Sequence, residues 1–117
     1  MRWALVIALA AAFAHALAQR VAADDLARRW PVAVATADVH DGPAPLRVCF
    51  DGSKSYHPEE RTFAFSWDFG DGRGTASEPS ACHVYVEPGL YAAMVIVTDD
   101  RGLEDARVVI VSVREAR

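Results

Sequence analysis

The stretch TFAFSWDFGDGRG, residues 62–74, constrains this chain more than any other. Its first part alternates, with Phe63, Phe65, Trp67 and Phe69 on one side and Ala64, Ser66 and Asp68 on the other. Four large aromatic side chains on one face of one strand cannot be left in water, so this strand has to be the centre of a core. The glycines that follow, Gly70, Gly72 and Gly74, alternate with Asp71 and Arg73 and permit positive φ where other side chains would clash. The strand therefore ends in a tight acidic turn, and the segments around it must supply the sheets that cover Trp67.

Those segments read as short strands separated by turns. Residues 31–40, PVAVATADVH, form a first, edge-type strand with proline at its start, and residues 41–45, DGPAP, a turn. Leu46, Val48 and Phe50 then point to the core, while Arg47 and Cys49 point away. Residues 51–61 make a polar loop that crosses between sheets. Beyond the acidic turn, Ala81, His83 and Tyr85 share a face opposite Cys82 and Val84, and Glu87, Pro88 and Gly89 close that strand. In residues 90–98, Tyr91, Ala93, Val95 and Val97 face inward. Asp99, Asp100, Arg101 and Gly102 read as a hairpin turn. The last strand, residues 103–113, turns Val109, Val111 and Val113 inward and Val108, Ile110 and Ser112 outward; a slip of one residue exchanges the sets. The pattern predicts an all-β antiparallel sandwich of about seven strands.

Residues 1–18, MRWALVIALAAAFAHALA, combine one basic residue, an apolar run and a small-x-small ending, which is the pattern of a cleaved secretory signal peptide. The apolar run is shorter than the roughly 20 residues of a membrane span, so the mature chain is expected not to span a membrane. Residues 19–30 read as a leader and residues 31–114 as one domain. Export places the protein in the periplasm or outside the cell, where cysteines pair. The formal net charge of -4 becomes about -5 without Arg2. No basic stripe accompanies the aromatics, which excludes a nucleic-acid binder.

WDFGDG at residues 67–72, then His83 and Tyr85, then Pro88, Gly89 and Tyr91, then VTDDRG at residues 97–102, together resemble a PKD domain over residues 31–113. The resemblance implies an immunoglobulin-like sandwich, extracellular or periplasmic, used for binding or spacing and not for catalysis; the strand pattern agrees with it. Trp67, Asp68, Gly70, Asp71, Gly72, His83, Tyr85 and Tyr91 are then the structural motif. Tyr91 resembles a tyrosine corner. In this fold the strands of Cys49 and Cys82 are neighbours, which implies a cross-strand disulfide on the outer side of one sheet.

The remaining candidates are weighed on their chemistry. Asp51, Ser53, Asp68 and Asp71 offer hard oxygens, and calcium is the one cofactor they could take; capping of turn N–H groups by the same short carboxylates is the competing reading. His83 stands alone at core alternation, as expected of a buried hydrogen-bonded histidine. His40 and His57 lie in separate loops without zinc-ligand spacing, and Glu59, Glu60, Asp99 and Asp100 read as turn residues facing water. No nucleophile with a base appears, so no enzyme is expected. Ala64, Ser66, Ala92, Met94, Ile96, Val108 and Ile110 fall on the outward side of three adjacent strands, forming a flat apolar patch of the kind that marks an interface. A leader carrying Leu26 and Trp30 could cover it instead. The sequence thus predicts a non-catalytic exported module that binds protein or carbohydrate at the cell envelope. The alternatives are a structural spacer, a self-associating subunit, or a calcium-stabilised accessory module of a secreted enzyme system.

Overall fold

The computed structural model describes residues 28–116, so the expected signal peptide and the leader up to residue 27 lie outside the described residues. Eight strands follow one another: β1 (Thr36–Ala37), β2 (Asp41–Pro43), β3 (Leu46–Asp51), β4 (Phe63–Asp68), β5 (Thr75–Ala76), β6 (Ser80–Tyr85), β7 (Gly89–Asp99) and β8 (Glu104–Arg114). They form two sheets, ordered β1-β3-β6 and β2-β8-β7-β4-β5. The loop after β3 crosses from the first sheet to the second, as its polar sequence suggested.

The alternating strands face as their sequences dictate. Val48 and Phe50 from one sheet meet Trp67, Ala93, Val95, Val97, Val109, Val111 and Val113 from the other, all buried. The Phe50 ring bridges the sheets, 5.5 Å from the Trp67 ring and 5.8 Å from that of Phe69. The Trp67 Nε1–H donates to the Glu78 carbonyl at 3.0 Å, so burying the indole leaves no unpaired donor. The β7–β8 ladder runs from Gly89↔Val113 to Thr98↔Glu104, which fixes the last strand with Val109, Val111 and Val113 inward. Phe63 and Phe65, nearer the hairpin end, are half-buried and pack edge to face at 5.5 Å.

The N-terminal part departs from the expected single strand and turn. Val32 makes an isolated bridge to Tyr56, and β1 pairs with β3 over only two residues. The turn expected at residues 41–45 is instead strand β2 as far as Pro43, lying parallel to β8 in the opposite sheet. Side chains explain the break. Ser55 Oγ accepts from the Val34 N–H at 2.9 Å, Asp105 accepts from the Ala33 N–H at 2.7 Å, and Asp38 accepts from the Cys49 N–H at 2.8 Å. Backbone groups satisfied in this way need no ladder partner, and the chain is free to change sheets.

Gly70 shows why the acidic turn needs glycine. Its φ is 84°, and a Cβ there would stand 2.3 Å from the Ala92 carbonyl oxygen on β7. The turn can fold back against the sheet only without a side chain at this point.

Candidate functional site

Three places collect the chemistry of the chain, and the acidic turn is the first. Asp68 Oδ1 accepts from the Gly70 N–H at 2.9 Å, and Asp71 Oδ1 accepts from the Arg73 N–H at 3.0 Å. His83 Nε2–H donates to Asp71 Oδ2 at 2.7 Å. The His83 ring lies flat on Phe69, with centroids 4.3 Å apart, and edge-on to Tyr85. Tyr85 donates to the Phe69 carbonyl at 2.8 Å, and burial together with the nearby Asp71 charge pushes its phenol pKa up. Tyr91 stacks on Tyr85 and donates to the Glu87 carbonyl at 2.7 Å, the tie a tyrosine corner requires. Burial pushes the Asp71 carboxyl up, but the bonds from His83 and the Arg73 N–H outweigh it and hold it below the usual carboxylate range.

The oxygens considered for calcium do not converge. Asp51, at the end of β3, accepts from the Ser53 N–H and from the Ser80 hydroxyl at 2.8 and 3.1 Å, and the Ser53 side chain together with these bonds holds its pKa down. By strand alternation Asp51 and Ser80 lie on the outer side of their sheet, whereas Asp71 reaches His83 on the inner side. Asp51 and Ser53 therefore form one capped turn, and Asp68 and Asp71 another. Among the described residues no group of three His, Cys, Asp or Glu is placed to hold a metal ion.

Cys49 and Cys82 face each other in register on β3 and β6 and are joined, with an S–S distance of 2.10 Å and Cα atoms 3.9 Å apart.

The second place is one the sequence reading missed. Asp99 and His57, expected to face water and to sit alone in a loop, are both buried. His57 Nδ1 accepts from the Glu59 N–H at 3.0 Å, so the ring carries its proton on Nε2 and donates it to Asp99 Oδ2 at 3.1 Å. Asp99 Oδ1 also accepts from the N–H groups of Arg101 and Leu103. The Arg101 guanidinium reaches Asp99, Glu59 and the Arg29 carbonyl. Burial opposes ionisation of Asp99, but these donors prevail and set its pKa far below the usual range. A signal was present: Asp99 continues the inward parity of Tyr91, Ala93, Val95 and Val97. The cluster offers no nucleophile, because Ser55 Oγ bonds to the backbone of Val34 and not to His57.

The third place is the outer face of the five-stranded sheet. The register sets Ala92 beside Ile110, Met94 beside Val108, Ile96 beside Ser66 and Thr98 beside Ala64, uniting the patch expected from alternation. Leu90, Val108 and Ile110 are 74%, 49% and 51% exposed. Trp30 stands 40% exposed next to Arg29, whose carbonyl is held by Arg101 at the hairpin tip, and no described residue covers Leu90, Val108 or Ile110.

Comparisons with known proteins converge. A family model described as PKD domain matches residues 28–113. The chain is 40% identical over 65 residues to collagenase ColQ1 of Bacillus cereus, covering 56% of this chain and 6% of that protein. It is 34% identical over 73 residues to a microbial collagenase of Vibrio alginolyticus, covering 62% of this chain and 9% of that one. The chain thus spans less than a tenth of the collagenases it resembles. Among solved structures, the PKD1 domain of Vibrio anguillarum Epp superposes with a TM-score of 0.62 at 26% identity, covering 76% of this chain and 99% of that domain. A structure described as the basis for promiscuous specificity of carbohydrate-binding modules from the β-sandwich superfamily superposes with a TM-score of 0.67 at 33% identity. It covers 76% of this chain and 36% of that chain.

Proposed function

This chain belongs to the PKD domain family, and from that premise we propose that it is a non-catalytic, exported module that binds a macromolecular partner through the outer face of its five-stranded sheet. The observation that carries this reading is the apolar stripe of exposed Leu90, Val108 and Ile110 beside half-buried Met94, bordered by Asp68, since contiguous apolar surface marks interaction sites. The stripe is aliphatic and contains no ring on which a sugar could stack. A protein partner therefore fits it better than a polysaccharide, and a fibrous protein is the class suggested by the collagenases that carry similar segments. Periplasmic or extracellular placement accords with the disulfide.

Retention of the purified chain on immobilised fibrillar collagen and gelatin tests this, with Ile110→Lys as the probe. The wild type is expected to bind and Ile110→Lys to lose at least about tenfold in affinity with an unchanged melt, as befits a charge placed in a desolvated contact. Equal binding by both proteins, or no binding by either, overturns the reading. A polysaccharide partner has one observation in its favour, the exposed aromatics Trp30, two residues before Val32, and Tyr56, which forms the Val32↔Tyr56 bridge. Binding to a polysaccharide panel that Tyr56→Ala abolishes and Ile110→Lys leaves intact would select it.

A further inference from the structure

The sheet orders end on four strands, and three of them are short: β1 and β5 span two residues each and β2 three. Strand β5 thus flanks β4 only at Trp67 and Asp68, and β2 flanks β8 only at Ser112, Val113 and Arg114, the rest of that edge carrying the charges of Glu104, Asp105 and Arg107. The fourth, β6, spans six, SACHVY. Sheets blunt a long edge with lysine, proline, a bulge or a covering segment. Strand β6 has no Lys, Pro or carboxylate, pairs with β3 in unbroken register, and exposes Ser80, Cys82 and Val84.

Neighbouring hydrogen bonds fix which backbone groups point outward. The Asp38 N–H donates to the Cys49 carbonyl at 3.0 Å, and the Gly52 N–H donates to the Pro79 carbonyl at 2.8 Å. In an antiparallel ladder both backbone groups of a residue point the same way, and the direction alternates along the strand. Cys49 is turned toward β1, so its partner Cys82 is turned away from β3. The Gly52–Pro79 bond sets the same phase from the other end. Ser80, Cys82 and Val84 therefore aim their N–H and C=O groups out of the sheet, and no loop or turn of the described residues bonds to them.

We infer that this edge is a self-association surface, on which β6 of a second copy pairs antiparallel about a two-fold axis passing beside Cys82. The argument for a second copy is the symmetry of the phase. Centring on Cys82 sets Ser80 of one copy opposite Val84 of the other, and every outward group of both strands finds a partner. No charged side chain stands on β6 to oppose its twin. The Cys49–Cys82 disulfide pins the middle of the strand to β3, so the edge is offered as a stiff template. This surface is separate from the outer sheet face and does not depend on the role proposed for it.

Sedimentation equilibrium of the chain, combined with residue-resolved amide exchange at low and high concentration, tests the inference. The mass is expected to rise toward a dimer as the Cys82 and Val84 amides slow by at least about tenfold. Ala81, His83 and Tyr85, already bonded to β3, stay unchanged. Val84→Pro removes an outward N–H and no internal ladder bond, so it is expected to abolish the dimer while the fold persists. Val84→Lys makes the same test without altering the backbone. A monomer at every concentration with fast Cys82 and Val84 amides overturns the inference. So does a dimer protected elsewhere, or an edge protected only when an extended peptide is added.

Discussion

Asp71 and His83 meet at 2.7 Å beyond one end of β4, and Asp99 and His57 meet at 3.1 Å beside the other, where Phe63 pairs with Asp99. Both aspartates also accept backbone N–H groups of their own turn, and both have pKa values held down by donors that outweigh burial. The difference is reach. Asp71 and His83 are 12 residues apart, inside one recognisable motif, and keep 6% and 12% side-chain exposure. His57 and Asp99 are 42 residues apart and almost fully buried at 1% and 0%. The same pairing chemistry thus serves a local turn at one end and, at the other, ties together the crossing loop, the β7–β8 hairpin and, through Arg101, the N-terminal segment.

Substitutions can break this comparison from either side. The largest effect is expected at the local end, from Gly70→Ala, which meets the Ala92 carbonyl as well as a positive φ. Its cost should exceed the roughly 1–3 kcal/mol of backbone strain alone, read as a lowered urea midpoint. A loss under about 1 kcal/mol would show that the turn can move off β7. Next comes the pair of histidines. His57→Ala leaves the buried Asp99 short of a donor and should cost about 2–3 kcal/mol, whereas His83→Ala, at a wetter site, should cost about 1 kcal/mol. Equal losses would remove the distinction between the two ends.

Acid sharpens the contrast. A carboxyl whose folded pKa is depressed contributes stability above its unfolded pKa of about 4, and that contribution is lost as pH falls through the folded value. Urea midpoints should therefore decline below about pH 4. Asp99→Asn should flatten that decline more than Asp71→Asn; the reverse order would contradict the deeper depression at Asp99. The smallest effect belongs to Tyr91→Phe, which removes one exposed bond to Glu87 and should lower stability by about 1 kcal/mol or less.

How much could be read in advance follows the same division. Period-two alternation gave the facing of β3, β4, β6, β7 and β8, because their inward positions are mostly apolar and a slip would expose them. His83 and Asp99 are the inward exceptions, half-buried and buried respectively, each against a partner of opposite charge type. The acidic turn was legible because Asp68 and Asp71 cap N–H groups two residues on, whereas the Asp71–His83 bond across 12 residues was not. The His57–Asp99–Arg101 cluster was hidden, since neither partner marks the other across 42 residues and paired aspartates in a turn resemble solvated ones. The N-terminal strand failed for a related reason. Its small residues alternate acceptably for either sheet, and Ser55, Asp105 and Asp38, all remote in sequence, decide where its backbone bonds go.

The parallel pairing of β2 with β8 has a mechanical side. Asp41, Gly42 and Pro43 lie beside Ser112, Val113 and Arg114, and further bonds run from the Ser112 N–H to the His40 carbonyl and from the Ala44 N–H to the Arg114 carbonyl. Because the strands run the same way, a pull between the chain before β2 and the chain after β8 slides one along the other. All of these bonds then carry the load at once, where an antiparallel pair pulled from adjacent ends would open one bond at a time. A module strung between a tethered partner and a moving one would hold its length up to a threshold force and then yield in a single step.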